Sequence, residues 1–427
     1  MKYLIKIQKH LQNTHQVKFS IDSPRDAVVF CDANNFIRIK GWVVDPLQPL
    51  PILVVDGERT WELRPTIDRP DVAKAHGLSN TCCGFEIYIE AAASCKIGIR
   101  NDSSIVWLVT LEAELSCVVE GKDNYLFLEH DSNRSSAQYL GQLLIDKANM
   151  DQWHDYFAYA LQETSASNID FRFMLAPGKE YIFPEHYPYL RGGATPTDQF
   201  LNHFGHHRYV LNPLLALHKQ RNYSYSKIDT HWTHYGASIA ARFFCESIDV
   251  NFIDPEYDYK FRPSTGDLGN KLFPNAIEYL PHFDEESISR SRIFENRIPN
   301  RGRLHIYENL HVSGNNVLIV FGDSFSMLLV PQLIKTFKRV VHVFSGADID
   351  WEIVRHEKPT HILAEITSRF LIKAPNPKFS LKSELSRKVR SMPLVERQRL
   401  MNHLERFSVG SVSYYRRMLV DVINSSD

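Results

Sequence analysis

No stretch of 18 or more consecutive apolar residues occurs in the 427 residues, so no transmembrane helix is expected. Neither sign of charge prevails. Lys and Arg number 49 against 50 Asp and Glu, a formal net charge of −1, which argues against wholesale binding to nucleic acid or to an anionic membrane. Cysteine is sparse and unpatterned: Cys31, Cys82, Cys83, Cys95, Cys117 and Cys245 show no C-x-x-C spacing, so no metal framework is expected. Five of them precede residue 120, which leaves a disulfide there open beside the plainer reading of reduced thiols. At the N-terminus, lysines interrupt the apolar cluster of Met1-Lys-Tyr-Leu-Ile-Lys-Ile before it reaches signal-peptide length, and a cytoplasmic location is expected on that ground. What is present, 44% hydrophobic and 12% aromatic residues over a length suited to two or three domains, describes a globular protein.

The chain is organised around Asn316-Val-Leu-Ile-Val-Phe-Gly-Asp-Ser-Phe-Ser326. A β-branched apolar run ends in Gly-Asp-Ser, and apolar residues at helical spacing follow (Met327, Leu328, Leu329, Val330, Leu333, Ile334). This predicts a buried strand, a tight turn and a helix, with Ser324 at the carboxyl end of the strand, where ligands collect in open α/β sheets. A serine nucleophile needs a base. Lys227-Ile-Asp-Thr-His-Trp-Thr-His-Tyr-Gly236 supplies a candidate, because Asp229 and His231, two apart in an extended segment, project to the same side.

Gly322-Asp323-Ser324-Phe325-Ser326, preceded by Asp229-Thr230-His231-Trp232-Thr233 and Gly236, resembles the SGNH-hydrolase-like sugar O-acetyltransferases of the alginate acetylation type, the AlgX/AlgJ family. Tyr125-Leu-Phe-Leu128 with Asp131-Ser-Asn133, Phe173-Met-Leu-Ala-Pro177 with Lys179, Tyr181-Ile-Phe-Pro184, Gly266-Asp-Leu-Gly269 and His361-Ile-Leu-Ala-Glu365 with Arg369 extend the resemblance over roughly residues 120 to 372. It implies an SGNH-type (flavodoxin-like) α/β fold, a parallel sheet with helices on both faces. It also implies acetyl transfer to a hydroxyl of a bacterial polysaccharide or its precursor. No bound cofactor is implied, but an acetyl donor is required, and a membrane acyltransferase is a candidate to deliver it. Members of the family are exported or membrane-anchored, so a periplasmic or membrane-peripheral location stands beside the cytoplasmic one.

Residues 1–22 read as an amphipathic lead-in. From Ala27 to about Val119, alternation (Ile37, Ile39 and Val43 against Arg38 and Lys40; Phe85, Ile87, Ile89) punctuated by Asp45-Pro46, Pro51, Asp56-Gly57 and Gly84 predicts a small β-sandwich over 23–119, a candidate carbohydrate-binding module. Trp42 and Trp61 are sandwich-core residues or sugar-stacking platforms, with the core preferred. Arg69 and Asp71 read as pinning a loop.

The α/β domain is expected over 120–372. It has helical spacing at 137–162, a strand at 170–176, a helix capped by Thr197-Asp198, and a helix after the cap Thr233. A structured insertion over the site spans 249–310. Strands at 317–321, 340–344 and 362–365 alternate with helical stretches at 325–338 and 349–357, the signature of βαβ units. The tail, 373–427, reads as a basic, solvated helical extension.

In the expected chemistry His231 takes the Ser324 proton, Asp229 holds the imidazole, and an acyl-serine passes its acetyl group to a sugar hydroxyl. The Ser324 N–H is the first oxyanion donor, and Asn133 is a guess for the second. Glu365 and Arg369 are candidates for substrate contact, with a structural ion pair the alternative; Asp323 is read as shaping the turn. No metal site is expected, although His203, His206, His207, His231 and His234 make a zinc enzyme the rival chemistry. A carbohydrate esterase with the same triad is the runner-up, and a non-catalytic glycan-binding protein comes third.

Overall fold

The computed structural model describes residues 2–10, 17–24, 28–32, 34–45, 51–91, 94–101, 104–255, 259–272, 275–283, 285–407 and 410–425; Ala27 and Pro46 lie outside them. The chain divides into two compact units, residues 1–119 with 267–276, and residues 120–266 with 277–427.

The first unit is built from alternating strands. Six pair antiparallel in the order Val28–Phe30, Lys2–Lys9, Ser104–Leu115, Ser94–Asn101, Ile52–Asp56, Arg59–Leu63, and four more in the order Lys18–Ser23, Phe36–Val44, Cys82–Glu90, Ile67–Asp68. Ile37, Ile39, Ile87 and Ile89 of the smaller sheet share one apolar core with Ile5, Val54, Ile97 and Leu111 of the larger, while Arg38 and Tyr88 between them face solvent. The stretch read as a lead-in therefore contains a sheet strand: Lys2–Lys9 runs along Ser104–Leu115 and buries Tyr3 and Ile5 while Lys6 stays exposed. Trp42 and Trp61 are half-buried, Trp42 against His76 and Trp61 at the core edge with Arg59 over its ring. Arg69 donates to both Asp71 carboxylate oxygens, at 2.9 and 2.7 Å, and to Asp22.

The second unit surrounds a seven-stranded sheet. Its elements in chain order are α1 (Lys147–Ala166), β1 (Asp170–Ala176), α2 (Lys179–Ile182), α3 (Pro196–Phe204), β2 (Val210–Leu211) and α4 (His234–Ser247). Next come the hairpin β3 (Tyr259–Ser264) and β4 (Glu278–Phe283), α5 (Glu285–Ser291), β5 (Arg292–Glu295) and β6 (Leu304–Glu308). Then follow β7 (Val317–Gly322), α6 (Ser326–Leu333), β8 (Arg339–Phe344), α7 (Trp351–Glu357), β9 (His361–Thr367), α8 (Leu381–Arg390), α9 (Leu394–Leu404) and α10 (Ser413–Asn424). The strand order is β2-β1-β9-β7-β8-β6-β5, parallel from β2 to β8 and antiparallel for β6 and β5. A central parallel strand is covered on both faces, which is why β7 reads as an unbroken apolar run.

Four details differ from the sequence reading. The expected insertion at 249–310 supplies the two antiparallel edge strands as well as the hairpin. Leu126–Leu128 lies outside the central sheet. The cap of α3 is Thr195, which forms a reciprocal box with Asp198, because Pro196 takes the first helical position. The tail is helical, but Leu381, Leu385, Val389, Leu404, Tyr415 and Leu419 join the same apolar cluster as the sheet, so its helices are packed rather than solvated. Among the described residues no helix is long and apolar enough to cross a membrane.

Candidate active site

The turn after β7 is held by carboxyl groups on both sides. Asp323 Oδ1 accepts the Phe325 N–H at 2.9 Å, and Oδ2 accepts the N–H and hydroxyl of Thr367 at 2.8 and 2.6 Å. Glu365 Oε2 accepts the Asp323 N–H at 3.0 Å. A Cβ on Gly322 would stand 2.5 Å from the Ser326 Cβ and 2.7 Å from Glu365 Oε2, so only glycine lets the strand end this close to its neighbours. One residue further on, the Ser326 hydroxyl donates to the Asp323 carbonyl at 2.5 Å and lies 2.7 Å from His342 Nε2. Asp323 is thereby committed to the turn, and Ser324 is left at its apex.

The second half of the site is the loop before α4. Thr233 accepts the Gly236 N–H and starts the helix, and the Trp232 indole donates to the Phe325 carbonyl at 3.0 Å, which ties this loop to the serine turn. Asp229 Oδ1 accepts the His231 backbone N–H at 2.9 Å and stands 2.7 Å from His231 Nδ1. His231 Nε2 stands 2.8 Å from Ser324 Oγ. With the Nδ1 proton on Asp229, Nε2 is the acceptor for the serine hydroxyl, the tautomer that general-base chemistry needs. Gly266, at φ +59°, lets the chain pass where a Cβ would meet the Ile228 carbonyl at 2.3 Å.

Ser324, His231 and Asp229 line a cavity of about 870 Å³, within the size range of small-molecule sites. Its far wall comes from β4, β5 and β6 and carries His282, Arg292, Arg303, His305 and Tyr307. Arg303 reaches Met327, one helical turn beyond Ser324, with Nη1 3.4 Å from the thioether sulfur. Burial, then the Arg292 and Arg303 charges, bring the His305 pKa down to about 4, and burial with His282 brings His234 to about 3. Both imidazoles are neutral at pH 7. Behind the turn His342 is held well below its ordinary value by burial, and Glu365 well above its own by burial and then by the Asp323 carboxylate.

The remaining residues singled out from sequence fall elsewhere. Asn133 sits in a turn with its N–H on Asp131 and its carbonyl accepting from Gln138; it is not among the cavity-lining residues. Glu365 is fully buried beneath the turn rather than facing the cavity. Arg369 borders a separate, small cavity with Lys179, Glu180, Thr230 and Thr367. The rings of His206 and His207 pack together and His207 stacks on Tyr209, while His231 and His234 line the large cavity. Lys179 and His342 were not assigned roles from sequence. His342 stands among valines in β8, and a polar residue at such a core-facing register position is the signal that would have marked it.

Residues 118–267 match the family model of the SGNH hydrolase-like domain of acetyltransferase AlgX. The matched span includes Asp229 and His231 and ends before Ser324. Comparison with curated proteins gave no match. Among solved structures, Bacillus cereus PatB1 aligns with a TM-score of 0.44 and 15% identity, over 62% of this chain and 99% of that one. The O-acetyltransferase domain of Pseudomonas putida AlgJ aligns with a TM-score of 0.40 and 16% identity, over 61% and 94%. A DHHW family protein from Eubacterium siraeum aligns with a TM-score of 0.39 and 17% identity, over 65% and 92%.

Proposed function

We propose that the chain is an O-acetyltransferase that carries an acetyl group on Ser324 and transfers it to a hydroxyl of a polysaccharide or its precursor. The observation that carries this reading is the continuous chain from Ser324 Oγ through His231 to Asp229, at 2.8 and 2.7 Å. His231 Nε2 takes the serine proton as Oγ attacks the carbonyl carbon of an acyl donor; the tetrahedral intermediate collapses, and His231 protonates the departing group. Asp229 stabilises the imidazolium formed in between. A sugar hydroxyl then attacks the acyl-serine, giving its proton to His231, and Ser324 is regenerated. Two features support an oxyanion role for the Ser324 N–H: its place at the start of α6, and the absence of a protein acceptor for it among the described residues.

The match to the acetyltransferase AlgX domain favours transfer over hydrolysis, and a cavity of this size has room for sugar units beside the acyl group. The same triad with water in place of the sugar would be a carbohydrate esterase. Incubation with a neutral activated ester such as p-nitrophenyl acetate should add one acetyl group to the intact protein, and Ser324→Ala should abolish that gain and lower ester turnover by about 10⁴-fold or more. Added oligosaccharide then decides between the two: acetylated sugar supports transfer, and acetate release at an unchanged rate supports the esterase. A wild type that neither gains mass nor releases acetate sinks both.

A further inference from the structure

A buried charge that the proposed chemistry does not use is Lys179. Its side chain is 2% exposed, and its ammonium donates to three backbone carbonyls of one loop: Ser226 at 3.2 Å, Lys227 at 3.0 Å and Asp229 at 2.7 Å. The Phe127 ring lies 5.2 Å away. An ammonium has three tetrahedral donors, and these three carbonyls use all of them. Taking such a charge out of water costs several kcal/mol unless hydrogen bonds compensate, so a lysine is a costly way merely to fill space.

We propose that Lys179 is a positioning residue that refers the base of the site to the same sheet that carries the nucleophile. The inference rests on the reading of Ser324 as an acyl-forming serine. Lys179 opens α2, three residues beyond the carboxyl end of β1, where the Gly178 N–H is fixed on the Ser368 hydroxyl at 3.0 Å. β1 pairs with β9, and β9 pairs with β7, which ends in the Ser324 turn. The loop 226–229 belongs to no strand of that sheet. At this end of the sheet it is linked by the ammonium, whose shortest bond is to the carbonyl of Asp229 itself, and just before the loop by the Tyr225 hydroxyl, which donates to the Pro177 carbonyl at 2.6 Å. From other directions Glu278 holds the Lys227 N–H at 3.0 Å and the Ser226 hydroxyl at 2.8 Å, and Gly266 packs against the Ile228 carbonyl. With the backbone of Asp229 fixed on the sheet, its carboxylate and His231 meet Ser324 at one distance. Without the clamp the Ser226 and Asp229 carbonyls lose this donor, while the Lys227 carbonyl keeps the Leu126 N–H at 2.8 Å, and the loop shifts to find others.

The test compares Lys179→Met and Lys179→Arg with wild type in single-turnover acylation by p-nitrophenyl acetate. Lys179→Met should slow acylation at saturating ester by about 10²-fold, the size of loss expected from a misplacement near 1 Å. The KM for this small neutral ester should stay within about threefold, since the clamp touches no part of the substrate. The downfield imidazole proton of the His231–Asp229 hydrogen bond, assigned by its loss in His231→Gln, should be present in wild type and absent or displaced in Lys179→Met while the methyl region remains that of a folded protein. Lys179→Arg keeps the charge but offers a planar fork in place of a tripod, so it too should lose rate with KM kept. If Lys179→Met does not fold, Lys179→Arg decides. Wild-type acylation and an unchanged imidazole proton in a folded variant overturn the proposal, as does a loss expressed in KM alone. If wild type takes up no acetyl, the nucleophile reading falls, while the imidazole proton still decides whether Lys179 positions the loop.

Discussion

The two faces of the central sheet are built from the same strands and are equally buried, but only one of them buries polar side chains. Phe171, Phe173, Leu175, Ile319, Phe321, Val341, Val343, Ile362, Ala364 and Ile366 point into one apolar cluster, closed by Trp153, Phe157, Phe200 and the tail helices. The residues between them point the other way. There Arg172, His342 and Glu365 are buried, with His305 and Tyr307 on β6, and that side holds the cavity of Ser324. The first face is apolar throughout, while the other sets buried polar groups among buried apolar ones (Met174, Leu318, Val320, Val340, Leu363), with Glu365 and His342 behind the turn. Polar residues in strand register thus mark the working side, whereas an equally buried apolar register is silent about chemistry.

The contrast is broken most forcefully on the apolar face. Phe173 is fully buried, with the rings of Trp153, Tyr156, Phe157 and Phe200 between 5.2 and 6.3 Å of its own. Phe173→Ala should lower unfolding free energy by about 4 kcal/mol, the usual cost of such a cavity. Acylation of Ser324 per folded molecule should change less than about twofold, because the neighbouring residues Arg172 and Met174 keep the opposite face. Urea unfolding with acylation measured on the folded fraction checks both. A large loss of acylation without loss of stability would mean that the faces do not divide the labour.

Much of this arrangement was legible in the sequence, and the parts that were not share a cause. The β7 run and the helix after it are marked by local pattern, as are the two-residue spacing of Asp229 and His231 and the cap at Thr233. The pairing of Lys2–Lys9 with Ser104–Leu115 is a contact between segments about 100 residues apart, and the exposed Lys6 beside them hid the inward Tyr3 and Ile5. Likewise the basic residues of the tail obscured Leu381, Leu385 and Val389, whose spacing of four puts them on one helix face. The antiparallel β5 and β6 lay inside a stretch whose periodicity is weak. At the site, Asn133 was placed by analogy of position alone, and the structure brings it into a turn with Asp131. Lys179 follows Pro177-Gly178 as any exposed lysine would, and only the fold brings three carbonyls to it.

On the polar face the sharpest test is Glu365→Gln. Glu365 is fully buried, its Oε1 has no hydrogen-bond partner among the described residues, and its pKa is raised well above 4.5 by burial and by Asp323. Below pH 4.5 the carboxyl is neutral whether the chain is folded or not. As pH rises from there, the unfolded chain ionises and the folded one resists, so stability is lost until the raised folded value is passed. The loss has an upper limit of about 1.4 kcal/mol per pH unit. Glutamine keeps the acceptor for the Asp323 N–H and cannot ionise. The variant should therefore match wild type near pH 4.5 and exceed it increasingly toward pH 8 in chemical unfolding. Parallel pH dependences in the two proteins would show that this carboxyl is not the neutral polar group the comparison requires.

A smaller effect of opposite sign is expected at the cavity wall. His305 is held neutral, with its pKa down at about 4, by burial and by the Arg292 and Arg303 guanidinium groups. Between pH 6.5 and about 4 the unfolded chain takes up a proton that the folded chain refuses, so stability present above pH 6.5 is lost as pH falls through that window. The slope from this one imidazole is roughly 1 kcal/mol per pH unit at most, because its partial contact with the cavity admits solvent. His305→Gln should flatten the acid limb of the stability profile by that amount while leaving the profile above pH 7 unchanged. An acid limb as steep as that of wild type would place the lost protons on other groups, with the neutral His234 the next to substitute. A flattened limb would extend the contrast from the floor of the sheet to the wall of the cavity, where neutral imidazoles keep the two arginine charges from being matched by further cations.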